Sequence, residues 1–211
     1  KKIVEFMSQL RLWIIIAIFV AVNILLLFLA DGSARYEVDT EDFYSEARAL
    51  ASHGAFVDNE NPTAYAVFRQ PGYPVVLFLA EAIVGDDPSG LIVTLQILAV
   101  LLIGVLVRAI AGHWIPGRED LAFALIVLNP NIIGTAHTLL PMTFYSLAFA
   151  AAIWAALRFS TRPSVQNALL VGLFSGIALL FRGDMKYLVY LFPVALPLLA
   201  WLGRARFSWR V

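Results

Sequence analysis

Leu12–Ala30 is nineteen residues long and holds no charged side chain. That run constrains the chain more than any other feature. A helix needs about 20 mostly apolar residues to cross the hydrocarbon of a bilayer. The basic start before it (Lys1, Lys2, Arg11) imitates a signal peptide, but the apolar run is longer than such a region requires, so it reads as a retained first helix. Further candidate spans are Leu91–Ile110, Leu121–Ile133, Thr143–Leu157, Ala168–Phe181 and Tyr187–Leu202. Pro130, Pro193 and Pro197 mark expected kinks or helix ends, because proline lacks the N–H a helix interior needs. Tyr73–Val84 is apolar but only a dozen residues long, which suits an interfacial or re-entrant helix better than a crossing.

Composition agrees. The chain is 61% hydrophobic and 14% charged, where soluble proteins average about 45–50% and about 25%. That excludes a cytosolic enzyme, a nucleic-acid binder and a disordered tail. With no cysteine, disulfides, thiolate metal sites and cysteine nucleophiles are excluded as well. No repeat or low-complexity run divides the chain, so residues 1–211 read as a single module. The fold class is an all-α polytopic membrane protein of about six transmembrane helices.

Charge sets the expected orientation. If Tyr73–Val84 does not cross, the cytoplasmic side receives Lys1, Lys2, Arg11, Arg108, Arg118, Arg158, Arg162, Arg204, Arg206 and Arg210, ten of the fifteen basic residues. Letting it cross would move Arg108, Arg118, Arg158 and Arg162 outside, against the positive-inside rule. The expectation is therefore a multi-pass protein of the plasma (inner) membrane with both termini cytoplasmic. Its extracytoplasmic segments are Asp31–Gly72, Thr135–Pro141 and Arg182–Lys186. Asp31–Gly72 has eight acidic residues against three basic. At about forty residues it is long for a featureless connection. Phe43, Ala47 and Leu50 stand at helical spacing in it, with Gly54 as the stop, which predicts short juxtamembrane helices.

The residues able to carry chemistry gather in this loop. It contains Asp39-Thr-Glu41-Asp42-Phe43 and closes on Arg69-Gln-Pro71-Gly72-Tyr73-Pro74. A carboxylate just outside a membrane helix, as at Asp39, can accept the proton of an attacking hydroxyl or help hold a divalent cation. Arg69 and Arg182 can pair bidentately with a phosphate, and Lys186 adds a point charge. Arg182-Gly-Asp184-Met-Lys186 interrupts two apolar stretches, and ionisable residues at such depth are functional candidates.

Asp39, Phe43, Ala47, Leu50 and Gly54, the Arg69-x-Pro71-Gly72-Tyr73-Pro74 run, and Gly172, Gly176, Leu179 and Arg182 together resemble the GT-C membrane glycosyltransferases. The closest likeness is to the bacterial branch related to dolichyl-phosphate-mannose protein mannosyltransferases and aminoarabinose transferases. The resemblance implies a sugar delivered from a polyprenyl-phosphate donor lying in the bilayer to an acceptor hydroxyl on the extracytoplasmic face, with inversion. It implies Asp39 as the base, with Arg69, Arg182, Lys186 and Tyr73 holding donor and phosphate. Apart from the resemblance, the carboxylates of Asp39, Glu41 and Asp42 would suit a divalent cation (Mg²⁺ or Mn²⁺) through oxygen ligands, with His137, five residues before Met142, as a further candidate ligand.

Each residue also has a plainer reading. Asp39, Glu41 and Asp42 suit a solvated acidic loop, and Pro71-Gly72-Tyr73-Pro74 a rigid turn that aims the next helix. Arg182, Asp184 and Lys186 suit a local ion pair, His137 a packed histidine, His53 loop surface. Gly172-x-x-x-Gly176 suits a close helix-packing face. The sequence also departs from the family. Where GT-C enzymes usually carry a second acid between the third and fourth helices, this chain has Met142, and a thioether does not replace a hard oxygen ligand. Family members are also considerably longer, so the chain reads as a short form or a fragment. Those departures favour a second expectation: an inactive GT-C-like scaffold binding a polyprenyl lipid or a partner membrane subunit. A transporter fits less well, because no two similar halves carry matching interrupted helices.

Overall fold

The computed structural model describes residues 2–29, 32–57 and 69–183, and beyond them 186, 187, 190, 191, 194, 195, 197, 198 and 201. Among these the assigned elements are helical and no strand occurs. They are α1 (Lys2–Leu29), a short 3-10 turn (Gly32–Arg35), α2 (Thr40–His53), α3 (Gly72–Val84), α4 (Ser89–Trp114), α5 (Glu119–Val127), α6 (Pro130–Ala136), α7 (Met142–Thr161) and α8 (Val165–Phe181).

Three segments are long and apolar enough to cross a membrane: Gln9–Leu29 of α1, Ser89–Trp114 and Met142–Thr161. At 1.5 Å per residue the shortest of them, α7, spans about 30 Å, the depth of a hydrocarbon core. By the same arithmetic α8 reaches about 26 Å and α3 only about 20 Å. Large apolar side chains stand exposed along these helices: Trp13, Leu25 and Phe28 on α1, Leu98 and Leu102 on α4, Leu169 and Leu173 on α8. In water such a surface would be an aggregation liability, whereas hydrocarbon solvates it.

The stretch Leu121–Ile133, expected as one span, is two helices. Asn129 interrupts it with an extended backbone (φ −72°, ψ 120°), and its side chain accepts the N–H groups of Asn131 and Ile132. Pro130 then begins α6, at the position where its missing N–H costs nothing. Both pieces pack on α4. Gly104 of α4 makes the contact possible: a Cβ there would stand 2.5 Å from Val127 Cγ1 and 2.8 Å from a ring carbon of Phe123. Phe19 of α1 and Val100 of α4 complete that core. Of the expected last span, Tyr187–Leu202, half the residues lie outside those described.

α2 matches its expected register. Phe43, Tyr44 and Ala47 turn inward against Tyr73, Leu77 and Ala80 of α3 and Ile92 and Val93 of α4. Gly54 ends the helix in the left-handed conformation (φ 67°), its N–H on the Leu50 carbonyl 3.0 Å away, a geometry that favours glycine.

The bundle has two ends. At one, Leu139 N–H bonds the Arg35 carbonyl at 2.8 Å, and buried Gln96 of α4 donates to the carbonyls of Thr138 (2.9 Å) and Leu140 (3.2 Å). With Thr40 Oγ1 of α2 donating to the Leu139 carbonyl at 3.3 Å, this ties α4, the segment before α7, the 3-10 turn and α2 into one layer. At the other end, Arg11 lines a cleft with Gly117 and Arg118, while Arg108 and Arg158 stand near the ends of α4 and α7, which run parallel. Among the described residues, Asp39, Asp42 and Glu46 stand at the first end together with Arg35, Arg48, Arg69 and Arg182, and Arg11, Arg108 and Arg118 at the second together with Asp120.

Candidate functional site

Asp39, Asp42, Phe43 and Glu46 fall at positions i, i+3, i+4 and i+7, which puts them on one face of α2. That face meets Arg69, on the approach to α3. The Arg69 Nη2 donates to Asp39 Oδ1 at 2.7 Å and to Asp42 Oδ2 at 2.8 Å. Its Nε reaches the same Asp42 oxygen at 3.3 Å, and its backbone N–H donates to Glu46 Oε1 at 3.1 Å. The guanidinium carbon stands 5.3 Å above the Phe43 ring, which in turn meets the Tyr73 ring edge-on at 5.2 Å. One arginine thus gathers three carboxylates and sits over an aromatic face.

Glu46 is 6% exposed, and its Oε2 makes no hydrogen bond among the described residues. Burial pushes its carboxyl above the ordinary range, with the Arg69 N–H and charge pulling the other way. Nothing in the sequence reading singled out Glu46. Its position seven residues after Asp39 was the available signal.

The approach to α3 also touches the end of α8. A Cβ on Gly72 would stand 2.6 Å from the Leu180 carbonyl oxygen, so only glycine lets the two backbones come this close. A Cβ on Gly183 would stand 2.8 Å from Gln70 Nε2. Arg182 therefore lies one residue from a contact with Gln70, the neighbour of Arg69. The Arg182 Nη1 donates to the Met142 sulfur at 2.9 Å, and its guanidinium lies 5.8 Å from the centre of the Tyr145 ring. The residue in the family's acidic slot is thus in contact with the arginine expected to hold phosphate.

Asp39, Arg69, Tyr73, Met142 and Arg182 therefore share one end of the bundle, although 143 positions separate the first from the last. Tyr73 stands apart in one respect: it is wholly buried, its hydroxyl inside the core without a hydrogen bond among the described residues. Lys186 is exposed, its ammonium 5.2 Å from the Tyr187 ring, and Asp184 lies outside the described residues.

The four candidate metal ligands are directed elsewhere. Asp39 and Asp42 face Arg69, Glu41 pairs with Arg48 at 2.9 Å on an exposed face, and His137 Nε2 lies 3.0 Å from Asn23 Oδ1. Among the described residues no three such side chains converge as placed. Asn23 is the polar residue inside the first apolar run. Its Nδ2 donates to the Phe19 carbonyl at 2.8 Å, leaving Oδ1 to accept from His137. Burial holds the His137 imidazole below the usual value, with the Arg35 charge acting in the same sense.

The arrangement offers a carboxylate with one oxygen held by a guanidinium, and a second arginine nearby on a separate element. Such a pair can take a proton at one point and balance an anion at another. Compared with protein-family models, curated proteins and solved structures, the chain matches none.

Proposed function

We propose that the chain is a GT-C-like membrane glycosyltransferase of the plasma membrane, with six spans, both termini cytoplasmic and the α2 layer on the extracytoplasmic side. It moves a sugar from a polyprenyl-phosphate donor to an acceptor hydroxyl. The observation that carries this reading is the ion pair of Asp39 with Arg69, at the end of the bundle that also holds Arg182.

Asp39 uses Oδ1 for Arg69, and among the described residues its Oδ2 accepts nothing. Oδ2 takes the proton of the acceptor hydroxyl as that oxygen attacks the anomeric carbon. The bond from that carbon to the phosphate oxygen breaks from the opposite face, its electron pair stays with the phosphate, and the configuration inverts. Arg182 balances the charge left on the polyprenyl phosphate. The Asp39 proton then passes to water. Arg69 holds the carboxylate aimed, a positioning role rather than that of the phosphate ligand expected from the sequence. No step here requires a metal.

A panel of polyprenyl-phosphate sugars, offered to protein in nanodiscs with membrane extract as acceptor, tests the reading. Sugar transfer that survives EDTA is the expected result, and absence of transfer across the whole panel contradicts it. One observation favours a second reading, a non-catalytic scaffold for a polyprenyl lipid or partner subunit: Arg69 and Met142 already satisfy the groups a substrate would engage. Lipid retained by a protein that transfers nothing supports that alternative.

A further inference from the structure

At the opposite end of the bundle, α1 and α5 leave a cleft of about 480 Å³ between them. Its mouth is cationic. Arg11 and Arg118 line it and both are exposed, whereas the acid beside them, Asp120, is bonded to Arg108 Nε at 2.8 Å. Glu119 turns away toward α4, its Cγ 3.2 Å from where a Cβ on Gly112 would stand. The floor is apolar: Ile14 and Ile15 from α1, Leu121 and Ala124 from α5. Ile14 and Leu121 are half exposed, on helix faces that no other described element covers.

A cationic mouth above an oily floor, beside a segment long enough to cross a membrane, matches one kind of molecule. Two guanidinium groups suit the oxygens of a phosphodiester, and the floor suits a hydrocarbon chain. A soluble anion would leave the apolar floor wet, and a zwitterionic lipid would bring its own cation to the arginines. The segment 202–211 carries Arg204, Arg206 and Arg210 and no acid, so its charge has the same sign as that of the mouth and repels it.

We propose that the α1–α5 cleft binds an anionic phospholipid of the bilayer, its phosphate on Arg11 and Arg118 and one acyl chain along Ile14, Ile15, Leu121 and Ala124. The site rests on the helix surfaces at this end and is independent of the transfer reading.

Native mass spectrometry from detergent tests it with three probes: dioleoyl phosphatidylglycerol, dioleoyl phosphatidylcholine and glycerol 3-phosphate. The wild type should retain phosphatidylglycerol about tenfold more tightly than phosphatidylcholine, the gain of one or two charge-assisted hydrogen bonds. The double variant Arg11→Gln/Arg118→Gln should lose that preference. Ala124→Phe, which keeps both arginines and fills the floor, should weaken retention by itself and carries the test if the double variant does not fold. Arg158→Gln, on the same end but outside the cleft, should change nothing. Equal retention of the two lipids overturns the proposal, as does an equal loss from Arg158→Gln, which would mean diffuse surface charge. Competition by glycerol 3-phosphate at the lipid's own concentration would reduce the site to an anion site. A polyprenyl phosphate held in preference to phosphatidylglycerol would overturn the choice of occupant.

Discussion

The Arg69 Nη2 lies 2.7 Å from Asp39 Oδ1, so the residue read as the base and a residue read as a phosphate ligand are bonded to each other. The same guanidinium holds Asp42 and covers Phe43, which makes it the bolt between α2 and the start of α3. Replacing it leaves Asp39, Asp42 and Glu46 on one helix face without their cation. Arg69→Gln should lower stability, but modestly, because Asp39 and Asp42 are half exposed and water screens them: about 1 kcal/mol in all. Arg69→Lys should recover part of this, since an ammonium cannot span both carboxylates as a planar fork does. Thermal unfolding in nanodiscs at low and high salt would measure both, and the deficit should shrink with salt.

Glycine positions give a sharper contrast. At Gly72 a Cβ meets the Leu180 backbone at 2.6 Å, and backbone cannot swing aside as a flexible side chain can. Gly72→Ala should therefore cost about 1–3 kcal/mol by forcing α3 off α8. Among the described residues a Cβ at Gly172 or Gly176 meets nothing within 4 Å. Gly176→Ala should be neutral or slightly stabilising through helix propensity. Melting temperatures of the two variants side by side would decide, and an equal loss would contradict the packing described.

Two titrations act in opposite senses. Glu46 has a folded pKa raised above 4.5, so the native state binds the extra proton. Its contribution to stability is full below that value and is lost as pH rises through the folded pKa. His137 has a folded pKa lowered below 6.5, so the unfolded state binds the extra proton. Its contribution is full above 6.5 and is lost as pH falls through the folded value. Glu46→Gln should flatten the decline of melting temperature above pH 4.5, and His137→Gln the decline below pH 6.5. A wild-type slope retained in both variants would contradict both assignments.

Met142 offers a test of the family's acidic slot. Its sulfur stands 2.9 Å from Arg182 Nη1, so a carboxylate there would meet a guanidinium. Met142→Glu should be tolerated, whereas Met142→Lys should destabilise by roughly 1–3 kcal/mol through like charge in a half-buried place. Unfolding of both variants, with Met142→Leu as reference, measures the difference.

How much of this could be read beforehand follows from the range of each interaction. α2 was legible because Phe43, Ala47 and Leu50 repeat within one helix and Gly54 ends it, all local signals. The break at Asn129-Pro130 was half legible: proline announced an end, but the length of apolar sequence on both sides suggested continuity. The Arg69 pairing was hidden, because thirty residues separate it from Asp39 and the contact needs α2 and α3 to pack first. The glycine motif at Gly172 and Gly176 misdirected attention. Spacing shows that a groove exists on a helix, but not that a neighbour fills it, and the close approach occurs instead at Gly72 and Gly104.

The central claim is that Asp39 removes the acceptor's proton, and Asp39→Asn tests it directly. Asparagine preserves shape and can still accept from Arg69, but it cannot take up a proton. Turnover and polyprenyl-phosphate binding would be measured on the same nanodisc preparation, with folding checked by circular dichroism. The account predicts turnover reduced at least about a hundredfold, as for loss of a general base, with lipid binding unchanged. Turnover close to wild type in Asp39→Asn would contradict it.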